Sequence, residues 1–455
     1  MTLRELGQAA RGMVYAAVSE AVRRLKVYCE GLTLEICGYA PGRPAQSVGD
    51  DLHVIAAALE YGGIKALILS ADVCTCPPKL AEEIRAAISE KTGVPYGSII
   101  YNTTHTHSGP VTSLKRSGWG VGDTDFMYNN MLPNSVKAAE EAVASLQPAL
   151  FGVSSTESEV AANRRSITPD GKIGLGQCPW GLLDKEMTVL SFKDAETGKT
   201  ILNMIHYCAH ATASGCNPEI SRDWPGPMKD ILERESGGVT MFIAGSNGET
   251  GPRCPNGGTT QSYEAALELG KRAGLDAVKA WRKIKDWRNA PVAVVNGDVT
   301  VPYEALPPKE TAIAELERLG TEEKLRAEKR FSEVNELVRW ESILAEYESG
   351  DIKSSYVFPQ SIIAIGTAAI VPFPFEMFLE MTLRLRLYSK FTHTLSLSNA
   401  NGSLAYLPSQ DQICRGGYEI WQFRFANTYK LVDNADTHMV TENLRLLDEA
   451  FESCR

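Results

Sequence analysis

One strand–helix–strand unit constrains the fold more than any other feature of the sequence. Residues 64–72, IKALILSAD, are mostly apolar and predict a buried strand. The following PPKLAEEIRAAISEKTG has apolar residues at helical spacing, begins at prolines and closes at Gly93. SIIYNTTH then predicts a second strand. Because a helical crossover joins parallel neighbours, the unit predicts an α/β sheet.

Later segments add antiparallel pairing and further helices. EMTVLSFKD and KTILNMIHYCAHAT predict a hairpin around the turn AETG, with its second strand ending near His210. GVTMFIAGSNGETGPR predicts a strand that runs into a glycine-rich loop, and QSIIAIGTAAIVPFPFEMF another strand and loop. HMVTENLRLLDEAFESC predicts a terminal helix. We therefore expect mixed β-sheets with flanking helices.

Residues 308–350 are highly charged and predict two helices broken at Gly320. The simplest interpretation is a solvated helical insertion, and the alternative is a contact in a homo-oligomer. The sequence shows no internal repeat, linker or low-complexity segment. Residues 1–455 are accordingly predicted to form a single domain.

Charge and composition limit the classes of binding partner that we expect for this protein. The 455-residue chain has a formal net charge of −10, which gives no electrostatic case for nucleic acid or an anionic membrane. Its N-terminus, MTLRELGQAARGMVYAAV, lacks a signal-peptide pattern, and the longest apolar run, SIIAIGTAAIVPFPF, is too short to span a bilayer. The ten cysteines form no regular framework. We expect a cytoplasmic protein with reduced thiols, no membrane anchor and a small-molecule substrate.

The stretch YNTTHTHSGP places His105 and His107 where a strand gives way to a loop. Residues i and i+2 of a strand share a face, so the two imidazoles are expected to point the same way. The carboxyl end of a strand is where open α/β sheets place ligand sites. Such a pair suits a metal or acid/base site, although ordinary polar loop residues remain the alternative.

Three other candidate strands also end in residues that can bind metal, within HYCAHAT, SNGETGPR and PFPFEMF. A catalytic zinc needs three or four nitrogen, oxygen or sulfur ligands and a position for water. The absence of H-E-x-x-H excludes the common single-helix protease design. His105 and His210 are the ligand candidates that the pattern itself supports.

Five segments, taken in order, resemble the neutral (non-lysosomal) ceramidase family. NTTHTHSGP, CAHAT…SRDWPG, AGSNGETGP, PFPFEMF and NGSLAYLPSQDQICRGGYE are similar to that family's THTHSGP, VHGTSM…SGDNKG, SNxGDxSPN, PGE and NxYxxYVxTxxEYxxxxYE. The likeness runs from about Gly38 to Glu442. It implies a fold like the N-terminal catalytic domain of those enzymes.

The resemblance also implies the metal ligands. A zinc ion, or another divalent metal, would be held by His105, His210, Glu376 and Tyr406. From the residues alone, Tyr406 would more simply be an aromatic side chain packed in the core.

Beside the metal, the resemblance implies three catalytic residues. His107 would act as acid/base or contact the substrate, and Arg164 matches an arginine of the family, with the adjacent Arg165 as a substitute. Tyr418 would help to stabilise an oxyanion.

Further residues are assigned more loosely. Asp223 could be a carboxylate that holds a histidine ring, as is common around zinc, and Asn247 and Arg253 are candidates for substrate contacts. His206 fits the core better than the metal. His53, His393 and His438 lie near no motif and are interpreted as structural.

One departure from the family bears on the mechanism. The family's D-x-S-P-N segment carries a serine, and the matching GETGPR has Gly251 at that position. A glycine offers no hydroxyl, so acyl-enzyme chemistry at this residue is excluded and metal-activated water is the expected nucleophile. Ser246, Thr250 and Arg253 could replace the serine as substrate contacts.

The chain also ends soon after LRLLDEAF, so we expect no C-terminal immunoglobulin-like domain and a substrate other than ceramide. The sequence thus predicts a zinc-dependent hydrolase that cleaves an amide, ester or lactone bond in a small polar substrate. Two alternatives stay open: a metal-dependent isomerase or lyase acting on a sugar-like substrate, and a non-catalytic metal-binding homologue.

Overall fold

The computed structural model describes residues 16–25, 34–39, 41–114, 120 and 122–454. The N-terminal stretch in which no signal peptide was predicted lies largely outside this part. Twenty strands occur in the described residues, in chain order β1 to β20: Ala17–Leu25, Ser47–Val48, Leu52–Tyr61, Ile64–Ala71, Ile99–Thr103, Gln147–Glu157, Ala161–Asn163, Arg165–Ile167, Ile173–Leu175, Glu186–Asp194, Thr200–Tyr207, Glu219–Ile220, Val239–Ala244, Thr250–Pro252, Val292–Pro302, Ser355–Ile365, Ala368–Pro372, Glu376–Met377, His393–Leu397 and Tyr406–Leu407.

The same residues form eleven α-helices, together with a 3₁₀ turn at Tyr96–Ser98 and a π turn at Phe126–Met131. In chain order the helices α1 to α11 are Pro78–Thr92, Leu132–Ala144, Pro225–Ser236, Tyr263–Lys283, Lys309–Leu319, Glu322–Ala327, Phe331–Ser349, Leu379–Tyr388, Gln410–Ile413, Tyr418–Phe425 and Ala435–Ser453.

The predicted strand–helix–strand unit is confirmed. Strand β4 pairs in parallel with β5, and helix α1 connects them. Helix α1 begins at a proline and ends where Gly93 adopts a left-handed φ of 72°, which a residue with a side chain rarely adopts. Its buried residues recur at helical spacing, so one face packs into the core.

Two mixed sheets lie between layers of helices. An eight-stranded sheet has the order β13-β11-β10-β6-β1-β3-β4-β5, and a four-stranded sheet has the order β15-β16-β17-β19. One hydrophobic cluster draws residues from both sheets, including Ile68, Met204, Ile363 and Leu395. The other faces pack against helices α1 to α4 on one side and α8 and α11 on the other. The predicted fold class is confirmed.

The two edges of the large sheet approach each other. Asn102 on edge strand β5 accepts a hydrogen bond through its side chain from Ala244 of the other edge strand, β13, at 3.1 Å. Both edges carry parallel pairs, β4 with β5 and β11 with β13. The carboxyl ends of these four strands therefore meet in one region, which is where the candidate site lies.

The charged segment forms three helices rather than the predicted two. A break at Gly320 separates α5 from α6, as expected, and a second break separates α6 from α7. Lys329 adopts a φ of 56° there, a backbone conformation that the charge pattern does not reveal. The three helices interrupt an antiparallel hairpin, because Pro302 at the end of β15 pairs with Ser355 at the start of β16.

Candidate metal centre

Three side chains from distant parts of the chain converge at the carboxyl ends of these strands. The Nε2 atoms of His105 and His210 lie 3.4 Å and 2.9 Å from Oε2 of Glu376. Both histidines are buried, and the Glu376 side chain is 14% exposed. Two imidazole nitrogens and a carboxylate oxygen within 4.8 Å of one another form a donor set that suits a divalent metal.

The orientation of both rings fits metal binding. Nδ1 of His105 lies 2.7 Å from the carbonyl oxygen of Cys74, and Nδ1 of His210 lies 3.1 Å from that of Thr250. A carbonyl only accepts hydrogen bonds, so each Nδ1 carries a proton and each Nε2 is the nitrogen that faces Glu376. In metal-bound histidine, the ring nitrogen that does not bind the metal typically donates a hydrogen bond in this way.

The His-x-His pair reaches the site from a loop rather than from a strand. Strand β5 ends at Thr103, and His105 adopts a left-handed φ of 61°. The alternation of strand residues therefore does not explain why the two rings meet. Instead, the His107 amide donates to the carbonyl of Ala211, which follows His210, and this bond ties the two loops together.

His107 lies beside the three converging groups. Its Nε2 is 3.3 Å from Nε2 of His105, and its buried Nδ1 has no hydrogen-bond partner within the described residues. Burial, reinforced by His105 and His210, holds the pKa of His107 well below its ordinary range, so the ring is neutral. A Cβ at Gly38 would come within 2.3 Å of Nδ1, so only glycine allows this close approach.

A second combination of possible ligands, Cys74 with His105 and His107, shares His105 with the first. The Cys74 sulfur is 3.8 Å from Nδ1 of His105, but that nitrogen already donates to the Cys74 carbonyl at 2.7 Å. The geometry therefore favours the combination with His210 and Glu376.

Tyr406 is placed against the cluster by strand pairing. Its strand, β20, pairs in parallel with β18, and Tyr406 is the register partner of Glu376. The Tyr406 ring lies 6.4 Å from that of His210 at an interplanar angle of 20°, and Nη2 of Arg164 donates to its hydroxyl at 2.9 Å. Burial raises the pKa of Tyr406 well above its usual value, and the Arg164 guanidinium opposes this shift.

The two adjacent arginines have different neighbours. Arg164 donates to Oε1 of the buried Glu419 at 2.8 Å and reaches Tyr406 with its other end. Arg165 donates to the second Glu419 oxygen at 2.7 Å and to the Gly416 carbonyl at 2.7 Å. Only Arg164 faces the cluster, whereas Arg165 braces the segment before α10. The role of Glu419 was not predicted, although the YE motif contains it.

Tyr418 lies at the outer side of the cluster. Its ring centroid is 5.8 Å from that of Tyr406, and the residue is 41% exposed. Burial of the phenol raises the pKa of Tyr418 above its ordinary value, so its hydroxyl stays protonated and can donate.

Asp223 does not hold a histidine ring, contrary to the prediction. Its carboxylate accepts hydrogen bonds from the backbone N–H groups of Ala213, Ser214 and Trp224 at 3.0, 2.8 and 2.7 Å. Trp224 in turn donates through Nε1 to the carbonyl of His210 at 2.8 Å. Asp223 thus orders the loop that follows His210.

The remaining candidates separate into buried and exposed residues. Asn247 is fully buried, and both atoms of its side-chain amide lack a partner among the described residues. Ser246 is buried and bonded to Thr382, and the buried hydroxyl of Thr250 has no partner in the same part of the chain. Arg253 pairs with Glu159 at 3.1 Å and is 42% exposed, which places it at the surface.

Gly251 lies in strand β14, paired with Ala162 of β7. A Cβ at this position would meet Cβ of Thr259 at 2.8 Å. The local packing therefore fits glycine, and a serine would require Thr259 to move.

His206 occupies the core, as expected from its sequence context. It is fully buried, and its Nε2 donates to the carbonyl of Ser396 at 3.0 Å. Burial lowers the pKa of His206 to about 4.

Comparisons with known proteins identify the fold. The structure matches the neutral ceramidase from Pseudomonas aeruginosa with a TM-score of 0.70 and 17% identity, over 96% of this chain and 74% of that chain. It also matches a ceramidase complexed with C2, with a TM-score of 0.71 and 16% identity, over 97% of this chain and 76% of that one. The resemblance seen in the motifs is thereby confirmed for the fold, and the low identity fits a divergent relative.

Neither a protein-family model nor a curated protein matches the sequence. Within the described residues, no helix combines the length and the apolar character needed to cross a bilayer.

Proposed function

We propose that this protein is a metal-dependent hydrolase that cleaves an amide, ester or lactone bond in a small polar substrate. The observation that carries the proposal is the convergence of two imidazole Nε2 atoms on Glu376 while both Nδ1 atoms donate to carbonyls. His105, His210 and Glu376 would hold the metal, which we take to be zinc, and Tyr406 would complete the set. The ceramidase fold supports this proposal, as does the order of the motifs.

The metal, when bound, would polarise the substrate carbonyl and lower the pKa of water. His107 is neutral and lies 3.3 Å from His105, so it can accept the proton of the attacking water and return it to the leaving group. Arg164 and Tyr418 can donate hydrogen bonds to the oxygen on which negative charge develops. Arg165 and Glu419 would keep Arg164 in place.

A polar substrate is favoured over ceramide by two features. Gly251 leaves no hydroxyl where the family has its serine, and a Cβ there would meet Thr259 at 2.8 Å. The buried guanidinium of Arg164 beside the cluster suits a polar or anionic substrate group. We also propose that residues 1–455 form one domain, because a single hydrophobic cluster joins the two sheets.

Metal analysis of the purified protein tests the ligand assignment. We expect about one equivalent of zinc or another divalent metal in the wild type and a loss of most of it in His105→Ala, since three or four ligands share the binding. His438→Ala, which changes a histidine outside the cluster, should keep its metal. Full metal retention by His105→Ala would contradict the assignment of His105 as a metal ligand.

The reaction type is tested with a panel of N-acyl amino acids, esters and lactones in ¹⁸O-labelled or deuterated water. Hydrolysis places ¹⁸O in a product carboxylate. Deuterium at carbon, with no ¹⁸O in a product carboxylate, would instead support the isomerase or lyase alternative, which also needs a metal and a base.

A further inference from the structure

A cavity of about 230 Å³ shares Tyr406 with the candidate metal centre, but His105, His210 and Glu376 do not line it. An apolar cavity of roughly 150 Å³ can hold benzene, so this one admits a somewhat larger organic molecule. Six aromatic side chains contribute to its wall: Tyr303, Tyr356, Phe375, Tyr406, Phe423 and Tyr429.

Several of these rings pack against one another. Tyr303 stacks on Tyr429 with a centroid distance of 4.7 Å and an interplanar angle of 23°. Tyr356 lies 6.4 Å from Tyr303 and meets Phe375 edge-on at 5.9 Å and 85°. Aromatic faces carry negative electrostatic potential, and a cage of them is the usual way in which proteins bind alkylated ammonium groups.

A carboxylate joins the aromatic wall. Glu346, near the end of α7, accepts a hydrogen bond through Oε2 from the Tyr429 hydroxyl at 2.7 Å. Burial, together with Tyr429 and Glu346, raises the pKa of Tyr303 to about 12, as expected next to negative charge.

Lys353 is the other charged residue of the wall, and it bears on the sign of the ligand. The residue is exposed, and its backbone N–H, rather than its ammonium, binds the Tyr429 hydroxyl at 3.0 Å. The Lys353 ammonium can extend into water, whereas the Glu346 carboxylate is fixed by Tyr429. Of the charged residues that line the cavity, Glu346 is therefore the one held in a fixed position. Two cations outside the wall contact its rings, and each is paired with a carboxylate: Lys430 with Glu304 and Asp433, and Arg164 with Glu419.

We propose that this cavity is a binding site for a small organic ammonium ion, held between aromatic faces and the Glu346 carboxylate. The site is separate from the metal-dependent reaction and does not rest on it. Its wall is built partly by the helical insertion, since Glu346 belongs to α7.

Titration calorimetry with choline and its uncharged carbon isostere, 3,3-dimethylbutan-1-ol, tests the proposal. Because cation–π contacts and a carboxylate act only on the charged ligand, choline should bind at least about tenfold more tightly. Equal affinity for the two ligands, or no binding of choline at millimolar concentration, would overturn the proposal.

Three variants assign the binding to this cavity. Glu346→Gln should weaken choline binding by at least about fivefold, because it removes the fixed charge. Glu348→Gln changes an exposed residue of the same helix and should leave binding unchanged. Lys353→Gln should tighten binding by about twofold, because it removes a like charge. Weaker choline binding in Lys353→Gln would show that this ammonium does not repel the ligand, and it would contradict the proposed charge balance of the site.

The metal centre provides the last control. Choline binding should persist in His105→Ala and in the presence of a chelator, because no proposed metal ligand other than Tyr406 lines the cavity. Loss of choline binding on metal removal would place the ligand at the metal and overturn a separate site. If the reaction assignment fails instead, calorimetry on wild-type protein still decides the binding.

Discussion

Two buried clusters of ionisable side chains lie at the ends of adjacent parallel strands. They differ in whether a lysine pairs with the buried carboxylate. Asp72 directly follows β4 and pairs with Lys229, whereas His105 follows β5 and converges with His210 and Glu376. Both clusters occupy positions where α/β sheets commonly place ligands.

The first cluster is neutralised by the protein itself. Nζ of Lys229 donates to both oxygens of Asp72 at 2.8 and 3.0 Å, and the His53 amide donates to Oδ2 at 3.1 Å. Both charged side chains are almost completely buried. A carboxylate supplied with its own cation has no need of a metal.

The carboxylate of the second cluster faces imidazoles instead. Within the described residues, Glu376 forms no ion pair with lysine or arginine, and its neighbours are the Nε2 atoms of two histidines. The comparison shows that position at a strand end does not distinguish a structural ion pair from a candidate metal site. The distinction lies in the groups that face the carboxylate, which are a lysine ammonium in one cluster and two imidazole nitrogens in the other.

The largest expected effect comes from breaking the ion pair. Lys229→Met leaves Asp72 buried and unpaired, which should lower the free energy of unfolding by about 3–5 kcal/mol in urea denaturation. Lys271→Met, at an exposed position, should change it by less than about 0.5 kcal/mol. Metal content should be unaffected by either variant.

A loss of less than about 1 kcal/mol in Lys229→Met would show that water reaches Asp72 and that the two clusters differ less than we infer.

Metal removal addresses the other cluster. With free metal at about 100 times its dissociation constant, binding should stabilise the fold by about 2.7 kcal/mol, and a chelator should remove this contribution. Glu376→Gln should show little response to the chelator, whereas Lys229→Met should respond as the wild type does. Equal chelator responses in wild type and Glu376→Gln would contradict the metal assignment.

His206 is a third case, because among the described residues its imidazole forms no ion pair with a carboxylate. Its expected effect on stability is smaller. Its pKa is lowered from 6.5 to about 4 by burial. As the pH falls below 6.5, the unfolded chain takes up a proton that the folded protein resists. The free energy of unfolding should therefore decrease by about 1.6 kcal/mol between pH 6.5 and pH 5 because of this residue.

Denaturation profiles at several pH values check this expectation. His206→Gln keeps a donor for the Ser396 carbonyl but does not titrate, so its profile should be flatter than that of the wild type. His53, which burial also shifts to a pKa of about 4, is present in both proteins and cancels in the difference. Parallel profiles would show that His206 does not contribute.

Local periodicity predicted much of the fold. The apolar run of β4, the helical spacing of α1 and the turn AETG each determine a nearby pairing, and those pairings are present. The packing of the two sheets depends on a hydrophobic cluster that joins distant segments, with Ile68 and Ile363 among its members, and has no local signal. The second break in the insertion depends on one backbone conformation, at Lys329.

The candidate site, too, was only partly predictable from local sequence. Motifs placed His105, His210 and Glu376 in separate loops, and the structure brings them together, although metal binding stays a prediction. The bond from Arg164 to Glu419 spans 255 residues, and the fit of Gly38 over His107 depends on three-dimensional packing. Asp223 was misassigned because a carboxylate near a histidine motif can equally well bind backbone N–H groups.

The interrupted hairpin has an evolutionary consequence. Pro302 and Ser355 are register partners, so the pairing of β15 with β16 fixes both ends of the segment that contains α5 to α7. A segment anchored in this way can change length or composition at a modest cost in loop entropy. Since α7 contributes Glu346 to the aromatic cavity, substitutions in α7 could change which ligand that cavity binds without altering the strands that position Glu376 and Tyr406. Ligand preference and catalytic chemistry could then diverge independently within one scaffold.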